Sequence, residues 1–169
     1  MASPLNTIVA DDRAHALRAS YHVRFPGVPE LPVPVHSIAE DLLGLRIVER
    51  PLDASGLLYP ADRLVVLNSA ESPLRRRFTL ALELGHWVCQ CLEGAEAPVF
   101  CRHQDVSMTA DRALEREANV FAAELLMPPR AVASLYETRP ESLGDRLGVS
   151  APALGWRLYN LGLVSERPA

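Results

Sequence analysis

Two blocks of helix-forming sequence, each punctuated sharply at one end, constrain this chain more than any other feature. Ser72-Pro73 opens the first. A serine can accept from the first free N–H groups of a helix, and proline at the first helical position gives up only an N–H that has no partner there. The pattern carries this helix to about Leu92. The second block spans roughly 110–127 and stops at Pro128-Pro129, since the residue before a proline is pushed out of the helical region. Two helices of this length, joined by a loop over 93–109, must bury a face against each other or against a sheet.

The sequence upstream supplies the sheet. Residues 11–22 are compatible with a first helix, with His15 and His22 on its solvated side, and Pro26, Pro29, Pro32 and Pro34 mark an extended segment. Ser37 starts a helix through about Leu43 that Gly44 stops, and His36 sits beside its start. Residues 45–50 and 63–68 read as strands, with 56–59 as a shorter strand between them. A helix, then strands, then helices, without regular βαβ alternation, predicts an α+β fold.

At 169 residues the chain suits one domain with a small appendage, and its net charge of −4 argues against a nucleic-acid backbone as the main partner. All 17 basic residues are arginine, which reads as coding bias. Cys89, Cys91 and Cys101 are too few, and odd in number, for a disulfide framework, and they read as small buried hydrophobes. The N-terminus lacks the form of a signal peptide, and no apolar run approaches a membrane span, so a soluble, reduced, cytoplasmic protein is expected.

The first long helix contains Leu82-Glu83-Leu84-Gly85-His86. Glu83 and His86 are three apart and share a face. Zinc peptidases use H-E-x-x-H because two histidines four apart point at one metal, while the glutamate beside the first polarises the bound water. Here the first histidine is missing, and E-x-x-H alone is a weak signal. Phe78, Leu82, Gly85 and Cys89 also form an apolar stripe, as in any amphipathic core helix.

The second helix sharpens the choice. RFTLALELGHWV (77–88) resembles the pattern RFTLAHELGH, and EREANVFAAELLMP (115–128) resembles E-x-x-A-N-x-F-A-A-x-L-L-M-P, in the same order, as in ImmA/IrrE metallopeptidases. The resemblance runs from about residue 30 to 164 and implies a zincin-like fold, a small sheet against helices, with the zinc site between the two long helices. It further implies Glu83 as the base that activates water, His86 as a zinc ligand, and Glu115 as the carboxylate ligand, with Glu117 as runner-up. Asn119 would orient Glu115 from one turn away, or else simply pack. Leu82 stands where the first zinc histidine would be and supplies no lone pair. His103 and Cys101, in the connecting loop, are the residues placed to replace it; Cys89 lies two turns from position 82, too far to share the metal. The implied parent activity is zinc-dependent cleavage of a DNA-binding repressor or antitoxin, which relieves repression of mobile elements, stress genes or toxin–antitoxin loci. The competing class is a non-catalytic protein that docks such a partner without cutting it.

The tail, 131–169, reads as an appendage to a peptidase domain over 1–130. Residues 140–163 resemble a helix-turn-helix, with Gly148 as the turn, Ser150 as a cap and Gly162 as a stop. Five arginines against four acids over 130–169 are a thin charge for gripping phosphates. Leu154, Trp156, Leu158 and Leu161 favour packing over DNA binding.

Overall fold

In the computed structural model the backbone is described for residues 4–91, 99–101 and 109–169, and side chains for 9–91 and 112–169. The fold is α+β. Helix α1 (Pro4–Arg24) starts earlier than the 11–22 segment expected and buries Ala10, Ala14, Leu17 and Tyr21 along one stripe. After the proline-rich segment, a helical turn α2 (Val35–Ser37) runs into a wider turn, Ile38–Leu42, where Leu43 N–H reaches the carbonyl of Ile38. Gly44 ends it at φ +64°.

Strands β1 (Arg46–Arg50), β2 (Gly56–Tyr59) and β3 (Leu64–Asn68) fall within a residue of the segments expected. Their order is not the chain order. The sheet runs β1-β3-β2-β4, with β1 parallel to β3 and the other pairs antiparallel. β1 is the exposed edge, rich in charge as edges tend to be, whereas β3 is central and buries Val65, Val66 and Leu67. β4 (Val99–Cys101) corrects the sequence reading, which made 93–109 a loop throughout. Three residues are too short to show strand periodicity, and β4 exists because β2 offers a free edge: Gly56, Leu57 and Leu58 pair with Cys101, Phe100 and Val99.

Helix α3 (Pro73–His86) lies against β2 and β3, and a wider turn, Trp87–Cys91, extends it close to the expected end. Ser72 Oγ accepts from Arg75 N–H, as the capping pattern requires. Helix α4 (Thr109–Leu126) packs on α3 and α1. Leu80, Ala81 and Leu84 of α3 meet Phe121, Ala122 and Leu125 of α4 and Leu58 of the sheet in one core.

Helices α5 (Pro129–Thr138), α6 (Leu143–Leu147) and α7 (Ala151–Asn160) complete the chain. Gly148 closes α6 and Ser150 caps α7, both at the positions the sequence marks. Leu154, Leu158 and Leu161 pack against the core. Trp156 does not: it is exposed, with Arg167 over its ring. The buried residue of α7 is Arg157, whose Nε donates to the Met127 carbonyl and whose Nη2 meets Glu124. Arg77 of α3 likewise donates to the carbonyls of Val33 and Gly148. Among the described residues no helix is long and apolar enough to cross a membrane.

Candidate active site

Two glycines let three elements converge on Glu83 and His86. A Cβ on Gly85 would lie 2.9 Å from both Cα and O of Ala118, so α3 and α4 meet backbone to backbone there. A Cβ on Gly56 would lie 2.6 Å from Thr79 Cγ2 and 2.7 Å from Glu83 Oε1, so β2 rests directly on the Glu83 carboxylate. Larger residues at either position would push these elements apart. Through Gly56, whose register partner is Cys101, the backbone of β4 is also brought beside this end of α3.

Glu83 and His86 are almost wholly buried, at 0% and 1% exposure. A plain amphipathic helix would bury neither, because desolvating an ionisable group is costly unless something compensates. Glu115 reaches His86 from α4, with Oε1 3.1 Å from His86 Nε2. Of the two carboxylates weighed, it is therefore Glu115, not Glu117, that the structure brings to the histidine. On its other side, His86 Nδ1 lies 2.8 Å from Gln90 Oε1, and Gln90 Nε2 donates to the Leu114 carbonyl at 3.0 Å.

This chain of contacts fixes the protons. The Leu114 carbonyl can only accept, so the Gln90 amide must turn its nitrogen there and its oxygen to His86. That oxygen can only accept, so Nδ1 carries a hydrogen. Nε2 is then left facing a carboxylate, and a bare lone pair there would be repelled. What suits Nε2 and Glu115 together is a cation, either a proton or a metal ion. Burial opposes charge on the imidazole, but the contact with Glu115, the field of Glu83 and the Gln90 hydrogen bond outweigh it and raise the His86 pKa above its ordinary value.

Leu82 sits one turn before His86, half-buried against the core. Asn119 is exposed, and its amide donates to the Glu115 backbone carbonyl at 2.8 Å. It thus reaches back along its own helix to the backbone of Glu115, the residue it was expected either to orient or simply to pack beside. Cys89 is buried in the core, as expected of a small hydrophobe. The side chains of His103 and Cys101, the expected replacement ligands, lie outside the described residues.

A catalytic zinc takes three protein donors and keeps a fourth position for water. Among the described residues no group of three or more His, Cys, Asp or Glu side chains is arranged to hold a metal. His86 and Glu115 fit a cation between them, but they are two donors where a catalytic zinc takes three.

A cleft of about 860 Å³ opens between the start of α3, the outer face of α4, and α7, and Glu83, His86, Gln90 and Glu115 are not among the residues that line it. Leu74, Phe78, Val120, Trp156 and Leu161 give it apolar walls, with Arg116 and Asn119 on the side toward Glu115. Sequence reasoning missed this cleft, and it missed Gln90. The signal for Gln90 was present: it stands four residues after His86, the spacing at which helical side chains meet.

Residues 40–159 match a peptidase-family model described as the IrrE N-terminal-like domain. Over 138 residues the chain is 28% identical to the radiation response metalloprotease IrrE of Deinococcus radiodurans, covering 81% of this chain and 40% of that protein. Over 134 residues it is 30% identical to the radiation response metalloprotease IrrE of Deinococcus deserti, covering 78% of this chain and 45% of that one. The chain thus spans less than half the length of these curated relatives. Among solved structures it is similar to a Mycobacterium tuberculosis transcriptional regulator, with a TM-score of 0.62 and 21% identity, over 88% of this chain and 47% of that one. At that identity the likeness is one of fold alone.

Proposed function

The chain belongs to the ImmA/IrrE family of metallopeptidases, and from that premise we propose that it is a zinc endopeptidase scaffold whose hydrolytic activity is impaired by Leu82. The observation that carries this reading is the half-filled constellation itself. His86 and Glu115 face each other from α3 and α4, Glu83 is buried on the same helix, and leucine occupies the remaining position. A zinc ion bound by three such donors polarises water and peptide carbonyls. With two donors described, the chain's own residues support holding zinc weakly or not at all, and cleaving slowly if at all. Glu83 is the group suited to accept and return a proton, and His86 and Glu115 are suited to hold a cation.

The substrate or partner proposed is a helix-turn-helix repressor or antitoxin, in a stress response of which the radiation response named for the two Deinococcus relatives is one case. The cytoplasm is the compartment where such a partner resides. A second reading, a non-catalytic protein that docks the same partner, is favoured by the cleft between α3, α4 and α7, since its apolar walls offer a surface for a protein segment and need no metal. Residues 131–169 are proposed to act as an appendage of the 1–130 peptidase domain, not as a DNA reader. The anchoring of α7 by Arg157 to Glu124 and Met127 supports this.

The test is metal analysis after dialysis of the chain and of Leu82→His, with a peptidase assay on a repressor. Zinc is expected in the histidine form only, with cleavage following it. Stoichiometric zinc and full activity in the leucine form would overturn the reading and point to His103 or Cys101.

A further inference from the structure

Gln90 does work that neither the family pattern nor the proposed chemistry assigns. It sits on the widened turn Trp87–Cys91, which continues α3 beyond its regular part. Its two amide atoms face in different directions: Oε1 is 2.8 Å from His86 Nδ1, and Nε2 donates to the Leu114 carbonyl at 3.0 Å. Leu114 immediately precedes Glu115. One side chain therefore touches the histidine and the backbone that carries the facing carboxylate.

We propose that Gln90 is a positioning residue: it holds His86 with Nδ1–H toward itself and Nε2 toward Glu115, and ties that histidine to α4. The proposal rests on reading His86 as a zinc donor, but the geometry behind it does not depend on a metal. An imidazole has two nitrogens and can turn either to a partner. Buried at 1% exposure, His86 makes the choice through its protein partners. The carbonyl of Leu114 settles it, by fixing which end of the amide Gln90 presents. A hydrogen bond at the far nitrogen also raises the basicity of the near one and stops the ring from turning. Glutamine suits this place because it accepts on one side and donates on the other; glutamate keeps the first function and loses the second, and leucine loses both.

Two substitutions, in the leucine-82 and Leu82→His backgrounds, separate these roles, each compared with Gln90 in place. In the Leu82→His background, Gln90→Leu is expected to lower zinc affinity about 10–100-fold, as losses at residues behind a metal ligand do. Gln90→Glu, which still accepts from Nδ1–H, is expected to keep most of that affinity. The readout independent of metal is NMR of the leucine-82 chain with 15N-labelled histidine. A His86 Nδ1–H resonance protected from exchange is expected with Gln90 or Gln90→Glu, and lost in Gln90→Leu. An Nδ1–H resonance and a zinc affinity both unchanged by Gln90→Leu would overturn the proposal. If Leu82→His takes up no zinc, the functional reading fails, while the resonance in the leucine-82 chain still decides the role of Gln90.

Discussion

Among the described side chains of helix α4, the carboxylates of Glu115 and Glu124 meet partners on other helices, and they are treated in opposite ways. Glu124, toward the C-terminal end, is enclosed by cations from two other helices. Arg157 of α7 meets its carboxylate and also donates to Met127 O, while Arg18 of α1 lies 3.9 Å away and donates to the Glu124 carbonyl. All three side chains are at most about one-eighth exposed. Glu115, toward the N-terminal end, is more open, at 21% exposure, and faces one histidine, whose other ring nitrogen is held by Gln90. The first arrangement is closed and joins three helices. The second leaves room for a cation, and it is the one that glycine contacts and a widened turn converge on. The same residue type on the same helix thus closes a structural tie at one end and faces the histidine of the candidate site at the other.

The largest effect expected from this contrast is on stability. Glu124→Ala leaves Arg157 and Arg18 buried without their carboxylate and should cost about 3–5 kcal/mol, as breaking a buried ion pair does. Glu115→Ala takes one partner from the buried His86 but admits solvent on a side that is already partly open, and should cost less, about 1 kcal/mol. Urea unfolding of the two variants measures the difference. Equal losses would break the comparison, since Glu115 would then be as structural as Glu124.

A smaller effect sharpens the other end. In Leu82→His, zinc at a hundredfold excess over its Kd should stabilise the fold by about 2.7 kcal/mol, because the metal binds the folded state and not the unfolded one. The leucine chain should show little shift at the same zinc concentration. Thermal melts with and without zinc measure this, and an equal shift in both chains would mean that position 82 is not the missing donor.

What the sequence revealed, and what it hid, follows the same division. Helix ends were legible because they are local: Ser72-Pro73, Pro128-Pro129, Gly148 and Ser150 act through their own backbone. The three strands with enough residues to show a pattern were legible as well. The candidate site was legible in its helix-borne members, since E-x-x-H and the Glu115 block are short-range motifs whose spacing survives in one dimension. The order β1-β3-β2-β4 was not, because strand neighbours are chosen by tertiary contact, and β4 draws its existence from the edge of β2. Arg157 was overlooked for a related reason: an arginine on a helix reads as solvated until its partner, thirty-three residues away in Glu124, is placed beside it. Trp156 failed in the opposite direction, since bulk and apolarity suggest burial while the fold turns its face outward.

The smallest effect concerns Asp11 of α1, which lines the cleft beside Glu124 and Arg157. Its pKa is raised, chiefly by burial, then by repulsion from Glu124 and, less, from Asp12, with Arg157 only partly offsetting these. A carboxyl whose folded-state pKa lies above its unfolded value favours folding when protonated. That contribution is fully present below the unfolded value of 3.8 and is lost as pH rises through the raised folded value. At neutral pH, then, ionised Asp11 weighs against the fold, because burial and the charge of Glu124 outweigh the attraction of Arg157. Asp11→Asn removes that burden without changing the shape of the side chain. It should be slightly more stable than the parent at pH 7, with the gap closing as the pH falls below 3.8. Denaturation midpoints of both chains at the two pH values measure it. A less stable Asn variant at pH 7 would mean that Arg157 is shared between Asp11 and Glu124, and that the buried tie at this end of α4 includes a second carboxylate.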